Sequence, residues 1–121
     1  MATLLVNSGK AVVTNRIQGS GTAPQYVAWG TGAGTTSATD TTLFTETGTR
    51  TSGTMSQQTT SVTNDTYQVV GTMTAGSTLA ITNAGLFDAS TSGNLFVKGD
   101  FSTVNLNSGD SIQFTFKTQF S

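Results

Sequence analysis

The stretch DSIQFTFKTQF, residues 110–120, alternates without a break. Ile112, Phe114, Phe116 and Phe120 fall on one side with Thr118, and Ser111, Gln113, Thr115, Lys117 and Gln119 fall on the other. Successive side chains of a strand point to opposite faces, so a period of two asks for an extended segment with one face buried. The pattern recurs upstream. Tyr67, Val69, Gly71 and Met73 share a face in TYQVVGTMT, Leu79 and Ile81 share one in TLAITNAGLF, and Leu95, Val97 and Phe101 share one in NLFVKGDF. The AGS at 75–77 has the composition of a hairpin turn between the first two of these. DASTSG at 88–93 reads as the loop of a second hairpin, and NSGD at 107–110 as the turn before the last strand.

The first half is less regular. TLLV at 3–6 reads as a short strand or an arm. NSGKAVVTNRIQGSG at 7–21 predicts a helix capped by Ser8, with Val12, Val13 and Ile17 on one face and Gly19 and Gly21 ending it. Pro24 leads into a strand, QYVAW. Residues 30–42, GTGAGTTSATDTT, form the longest stretch without a large apolar residue and read as a flexible loop, after which LFTE at 43–46 packs down on the domain. RTSGTMSQQTTSVTND at 50–65 reads as a long, mostly solvated strand or edge pair ending in an Asn64-Asp65 turn. Short strands joined by tight turns predict a mainly β chain, an antiparallel β-sandwich of jelly-roll-like form with one short N-terminal helix. The expected domain is single, residues 1–121, with 1–7 as an N-terminal arm.

Composition narrows the function. Only 9% of residues are charged and the net charge is −1, against roughly 25% in a typical soluble domain. No field draws in nucleic acid or an anionic membrane, so neither is expected as a partner. Low charge weakens self-repulsion and suits a protein that lives in an assembly. Ser and Thr make up about a third of the chain, and Thr and Val favour strands because branching at Cβ fits a pleated surface. There is no His and no Cys, which removes His bases, Cys nucleophiles, thiolate–zinc sites and disulfides. The apolar run Leu4-Leu5-Val6 is shorter than the roughly seven residues of an export signal and the roughly twenty of a membrane span.

Each candidate site meets a simpler reading. GTGAGTT at 30–36 lacks the Lys of a phosphate loop and has no Gly at the third position that the spacing of a dinucleotide fingerprint requires. The acids Asp40, Glu46, Asp65, Asp88, Asp100 and Asp110 are scattered. Asp88 and Asp100 could approach across a hairpin as a glycosidase pair, but an Asp beside a turn usually bonds the local backbone. DASTSGN has Ser and Thr where a calcium loop places carboxylates. No S-x-x-K supplies a Lys-activated nucleophile. Lys98-Gly99-Asp100 is like an integrin-binding triplet but sits in an alternating stretch rather than at a loop tip, where Gly99 would mark a bulge or close backbone approach. No catalytic residue, cofactor or metal is therefore expected, and the chain reads as no enzyme. Tyr26 and Trp29 would be interface anchors if exposed, and core residues otherwise.

GSGTAPQYVAWGTGAGTTSATDTTLFTE, followed by TNAGLFDASTSGNLFVKGDFSTVNLNSGDSIQFTF, resembles a family of small structural proteins of tailed bacteriophages. The resemblance rests on Pro24, Tyr26, Trp29 to Gly32, Asp40, Leu43, Glu46, Asn83 to Asp88, Asn107, Gly109 and Asp110. Such proteins decorate capsids as cement or associate with tail fibres. The resemblance implies a virion structural protein made in the host cytoplasm. The first expectation is a decoration protein on the capsid surface that binds across subunits of the major capsid protein, as a homo-dimer or homo-trimer, and stabilises the head. The alternative is a tail-fibre or baseplate component that binds a host glycan through an exposed Trp29 or Tyr26. For the capsid reading, contacts are expected from the arm (Met1, Ala2, Thr3, Leu4, Leu5 and Val6), from Tyr26 and Trp29, and from the loop beginning Gly30, Thr31 and Gly32.

Overall fold

A computed structural model describes residues 3–121. Eight strands and one helix follow in the order β1 (Thr3–Leu5), α1 (Asn7–Ile17), β2 (Tyr26–Gly30), β3 (Glu46–Ser52), β4 (Thr54–Gln58), β5 (Thr66–Thr74), β6 (Leu79–Phe87), β7 (Leu95–Leu106) and β8 (Ser111–Gln119). They form a five-stranded sheet, ordered β1-β7-β6-β2-β3, and a three-stranded sheet, ordered β4-β5-β8. Every pairing is antiparallel. The expected sandwich with a short helix near the N-terminus is the fold. Its connectivity departs from a jelly roll, because the chain changes sheet only at β3–β4, β5–β6 and β7–β8.

The alternating faces meet in the middle. Val27 and Trp29 of β2, Ile81, Ala84 and Leu86 of β6, and Val69 and Met73 of β5 form one buried cluster, with Phe114 and Phe116 of β8 packed against it. Trp29 stands edge-on to Phe114 at 6.4 Å between ring centroids, and Tyr67 edge-on to Phe96 at 5.9 Å, the geometry that ring quadrupoles favour. Phe96 reaches this interior through a bulge. Phe87 pairs with Leu95 and Leu86 with Val97, which leaves Phe96 as the extra residue and turns it inward beside Val97. Gly99, by contrast, pairs regularly with Ala84 and Thr3, and the irregularities of β7 lie to either side of it, at Phe96 and between Asp100 and Val104.

The 75–77 segment is not a hairpin. β5 pairs with β4 and β8 while β6 pairs with β2 and β7, so the segment carries the chain from one sheet to the other. Ala75 is tied down by Ala75 N–H to the Asp110 carbonyl at 2.7 Å, and its own carbonyl accepts from Gly109 N–H at 2.8 Å. The hairpin expected across 88–93 does join β6 to β7. At the opposite side of the sandwich the solvated 50–65 region resolves into the end of β3, a corner at Gly53, β4, and a loop. Any Cβ at Gly53 would sit 2.5 Å from Val69 Cγ1, so only glycine lets one strand bend from sheet to sheet there.

The helix is present, but its cap is not. Val6 occupies the cap position without a side-chain bond, and Ser8 Oγ donates instead to the Leu95 carbonyl at 2.7 Å. Val12 is buried, yet Ile17 is 81% exposed, because the helix touches the sandwich mainly through its first half. Gly9 makes that approach possible, since a side chain there would run into the Phe96 carbonyl.

Candidate functional site

The residues singled out for chemistry have structural partners. The outer face of the five-stranded sheet is covered by residues 31–45, the connection between β2 and β3. Leu43 packs into a second buried cluster with Val6, Ala28, Phe87 and Leu95. Asn83, fully buried, accepts from Phe44 N–H at 3.0 Å and donates to the Phe44 carbonyl at 3.1 Å. Asp100 Oδ1 accepts from Thr36 N–H at 3.1 Å. Lys98, whose side chain has no solvent exposure, donates to Asp40 Oδ2 and to the Thr42 carbonyl, each at 2.9 Å, and lies 3.3 Å from the centroid of the Phe44 ring. The Lys98 hydrogen bond, followed by the Ser37 N–H, holds the Asp40 carboxyl below its ordinary value. Lys98-Gly99-Asp100 is thus a clamp, and the loop expected to be flexible is tied down at Thr36, Asp40 and Thr42.

The remaining acids are also used locally. Glu46 takes a bidentate pair from Arg50, at 2.8 and 3.0 Å. Arg50 also donates to the Ala89 and Ser92 carbonyls and stacks 3.5 Å above the Phe87 ring, which pins the β6–β7 loop. Asp88 accepts from Asn94 N–H at 2.6 Å and from Asn94 Nδ2 at 3.0 Å, so its oxygens face loop donors. Asp110 accepts from Asn107 N–H at 2.8 Å. Asp65 gathers the N–H groups of Thr60, Ser61 and Val62 within 3.0 Å, and they lower its pKa strongly, Thr60 most. Burial pushes the Tyr67 hydroxyl up to about 12, while it donates to the Pro24 carbonyl at 2.8 Å. Among the described residues no group of three or more acids could hold a metal ion, and no helix is long and apolar enough to cross a membrane.

The expected contact residues divide. Met1 and Ala2 lie outside the described residues. Thr3, Leu4 and Leu5 are not an arm; they are β1, paired to Val97–Gly99 at the edge of the sheet. Val6 is fully buried. Trp29 is 2% exposed, which removes it as a glycan platform: its indole fills the space between the sheets. Tyr26 is half-buried at the margin of the outer cluster. Gly30 is buried against the Phe44 carbonyl, and Thr31 and Gly32 bond back to Thr45 and Phe44.

What remains open is an edge. β8 is the outer strand of its sheet, nine residues long and in unbroken register with β5 from Ser111–Thr74 to Gln119–Thr66. Alternate N–H and C=O groups of such a strand point away from β5, its only partner among the described residues. Between this edge and β1 runs a groove of about 480 Å³, floored by Val97, Phe101, Phe114 and Phe116 and rimmed by Thr3 and Lys117. The sequence marked the strand; that it stands at an edge depends on which strands pair, and no local signal carries that.

Residues 10–119 fit the family model described as Podophage GP4 fiber I protein gp80. No curated protein matches the chain. No solved structure matches it.

Proposed function

The chain belongs to the podophage GP4 fiber I protein gp80 family of phage structural proteins, and on that premise we propose that it is a structural subunit of a virion fibre, joined to a neighbour through the β8 edge. The matched description is of a fibre protein, which favours the tail over the head. Its role is non-catalytic: the six acids brace loops, and His and Cys are absent. The observation that carries the reading is the free β8 edge beside an apolar groove. Strand addition supplies backbone hydrogen bonds for affinity and side-chain pockets for selectivity. Charge is scarce on that strand, so little is lost by desolvating it. Host-glycan binding through Trp29 has no support, since that ring is buried.

Labelling intact virions with an antibody to this chain, imaged by electron microscopy and paired with gel densitometry, tests the location. The expected result is label at the tail and a band far weaker than that of the major capsid protein. Label spread over the head at near-capsid abundance would overturn the fibre reading in favour of capsid decoration.

A further inference from the structure

We infer that the occupant of the β8 edge is the β8 strand of a second copy, paired antiparallel about a two-fold axis at Thr115. The inference rests on the fibre-subunit reading and deepens it by naming the partner. Free edges are normally shortened, bulged or charged, because an unguarded one invites pairing. The other three edges of this sandwich follow that rule. Among the described residues β1 has three and β4 five. β3 carries a register irregularity opposite Val27–Trp29, together with Glu46 and Arg50. β8 has none of these devices: nine residues, no Pro, no shift against β5, and Lys117 as its only charge.

The strand is complementary to itself. Full overlap of Ser111–Gln119 with its copy centres the axis on Thr115. On the outer face, Thr115 then opposes Thr115, Gln113 opposes Lys117 and Ser111 opposes Gln119. On the inner face, Phe114 opposes Phe116 and Ile112 opposes Thr118. No charge meets a like charge. The two Lys117 residues lie four strand positions apart, about 14 Å at roughly 3.4 Å per residue, beyond a physiological Debye length of about 8 Å. The aromatic pairs meet twice by symmetry, and directly opposed aromatic side chains stabilise antiparallel strands. The joined sheet would run β4-β5-β8-β8-β5-β4. The two grooves would face each other, covering the half-buried edges of Phe114 and Phe116.

Sedimentation equilibrium of the purified full chain, over a wide concentration range, reads the state directly. The expected mass is twice 12.4 kDa. Thr115→Lys sets two ammonium groups against each other on the axis and is expected to give a folded monomer, since Thr115 is exposed in the single chain. Register is read by cross-linking, which is clean because the chain has no Cys. Thr115→Cys alone is expected to form a disulfide-linked dimer on mild oxidation. Gln113→Cys alone is not, whereas Gln113→Cys mixed with Lys117→Cys is. Thr115→Cys is small enough to keep the fold if Thr115→Lys does not. A monomer at every concentration, a trimer, or a dimer in which Thr115→Cys stays reduced would each overturn the pairing. None of those results concerns where the chain sits in the virion, so the fibre reading stands or falls separately.

Discussion

Asp40 and Lys98 form a pair whose two halves are not equivalent. The Lys98 side chain has no exposure, while 21% of the Asp40 side chain reaches solvent. Removing Asp40 therefore strands a buried cation, whereas removing Lys98 leaves an anion that water can reach. Breaking a buried ion pair from the side that leaves the charge uncompensated costs about 3–5 kcal/mol. The Thr42 carbonyl and the Phe44 ring still face the ammonium, so the lower end, about 3 kcal/mol, is expected for Asp40→Ala. Lys98→Met keeps the aliphatic stem and loses the hydrogen bond to Thr42, which puts its cost at about 1–2 kcal/mol. For a domain of this size each kcal/mol moves the melting temperature by about 4 °C. Asp40→Ala should melt about 12 °C below the parent, and Lys98→Met about 4–8 °C below. The double variant should recover most of the Asp40→Ala loss, because no stranded charge remains. Urea denaturation of all four proteins gives the cycle. If Asp40→Ala costs no more than Lys98→Met, or the double variant is the least stable of the set, the account of Lys98 as a buried charge held by Asp40 is refuted.

Other outcomes follow from the same geometry. Asp40 and Asp65 both have carboxyls held below their ordinary value of 3.8, so the stability they add is present above that pH and drains away as pH falls below it; a urea midpoint unchanged between pH 5 and pH 2 would contradict this. Gly9→Ala should destabilise by about 1–3 kcal/mol despite the better helix propensity of alanine, because the methyl group meets the Phe96 carbonyl. A stabilised Gly9→Ala in thermal melts would show that helix and strand are not that close. Thr36 Oγ1 is buried without a hydrogen-bond partner, so Thr36→Val should leave stability unchanged or raise it by about 1 kcal/mol; a clear loss in the urea midpoint would show that the hydroxyl is satisfied.

Strands and most of their faces were legible because they depend on local alternation; β7 is the exception, since Leu95 and Val97, expected on one face, lie in different clusters. Tyr67, Val69 and Met73 turn inward as the period of two requires, and Phe114 and Phe116 do the same. Pairing partners were not legible, because they depend on residues far apart in the chain. AGS has hairpin composition, yet Ala75 exchanges backbone bonds with Gly109 and Asp110 rather than closing a turn of its own. Lys98 alternates correctly with Val97, but its burial follows from a loop folding back over it from 58 residues earlier. The bulge at Phe96 has no local signature either: Leu95-Phe96-Val97 are all apolar, and alternation cannot show which two neighbours share a face. Ile17 matched the helical spacing but lies past the point where the helix leaves the sandwich, so the expected face holds for Val12 and fails one turn later.

The corner at Gly53 makes the two sides of the sandwich mechanically unequal. On that side one continuous strand passes from sheet to sheet, and a force separating the sheets would have to unbend covalent backbone. On the other side β1 and β8 are separate strands, and the nearest covalent tie is the β7–β8 turn at one end of β8, so along most of that edge side-chain contacts alone resist the same force. Under tension the sandwich would gape like a hinged shell, opening from the aromatic row inward. A clasp across that opening would do more to toughen the subunit than any bond placed near the hinge.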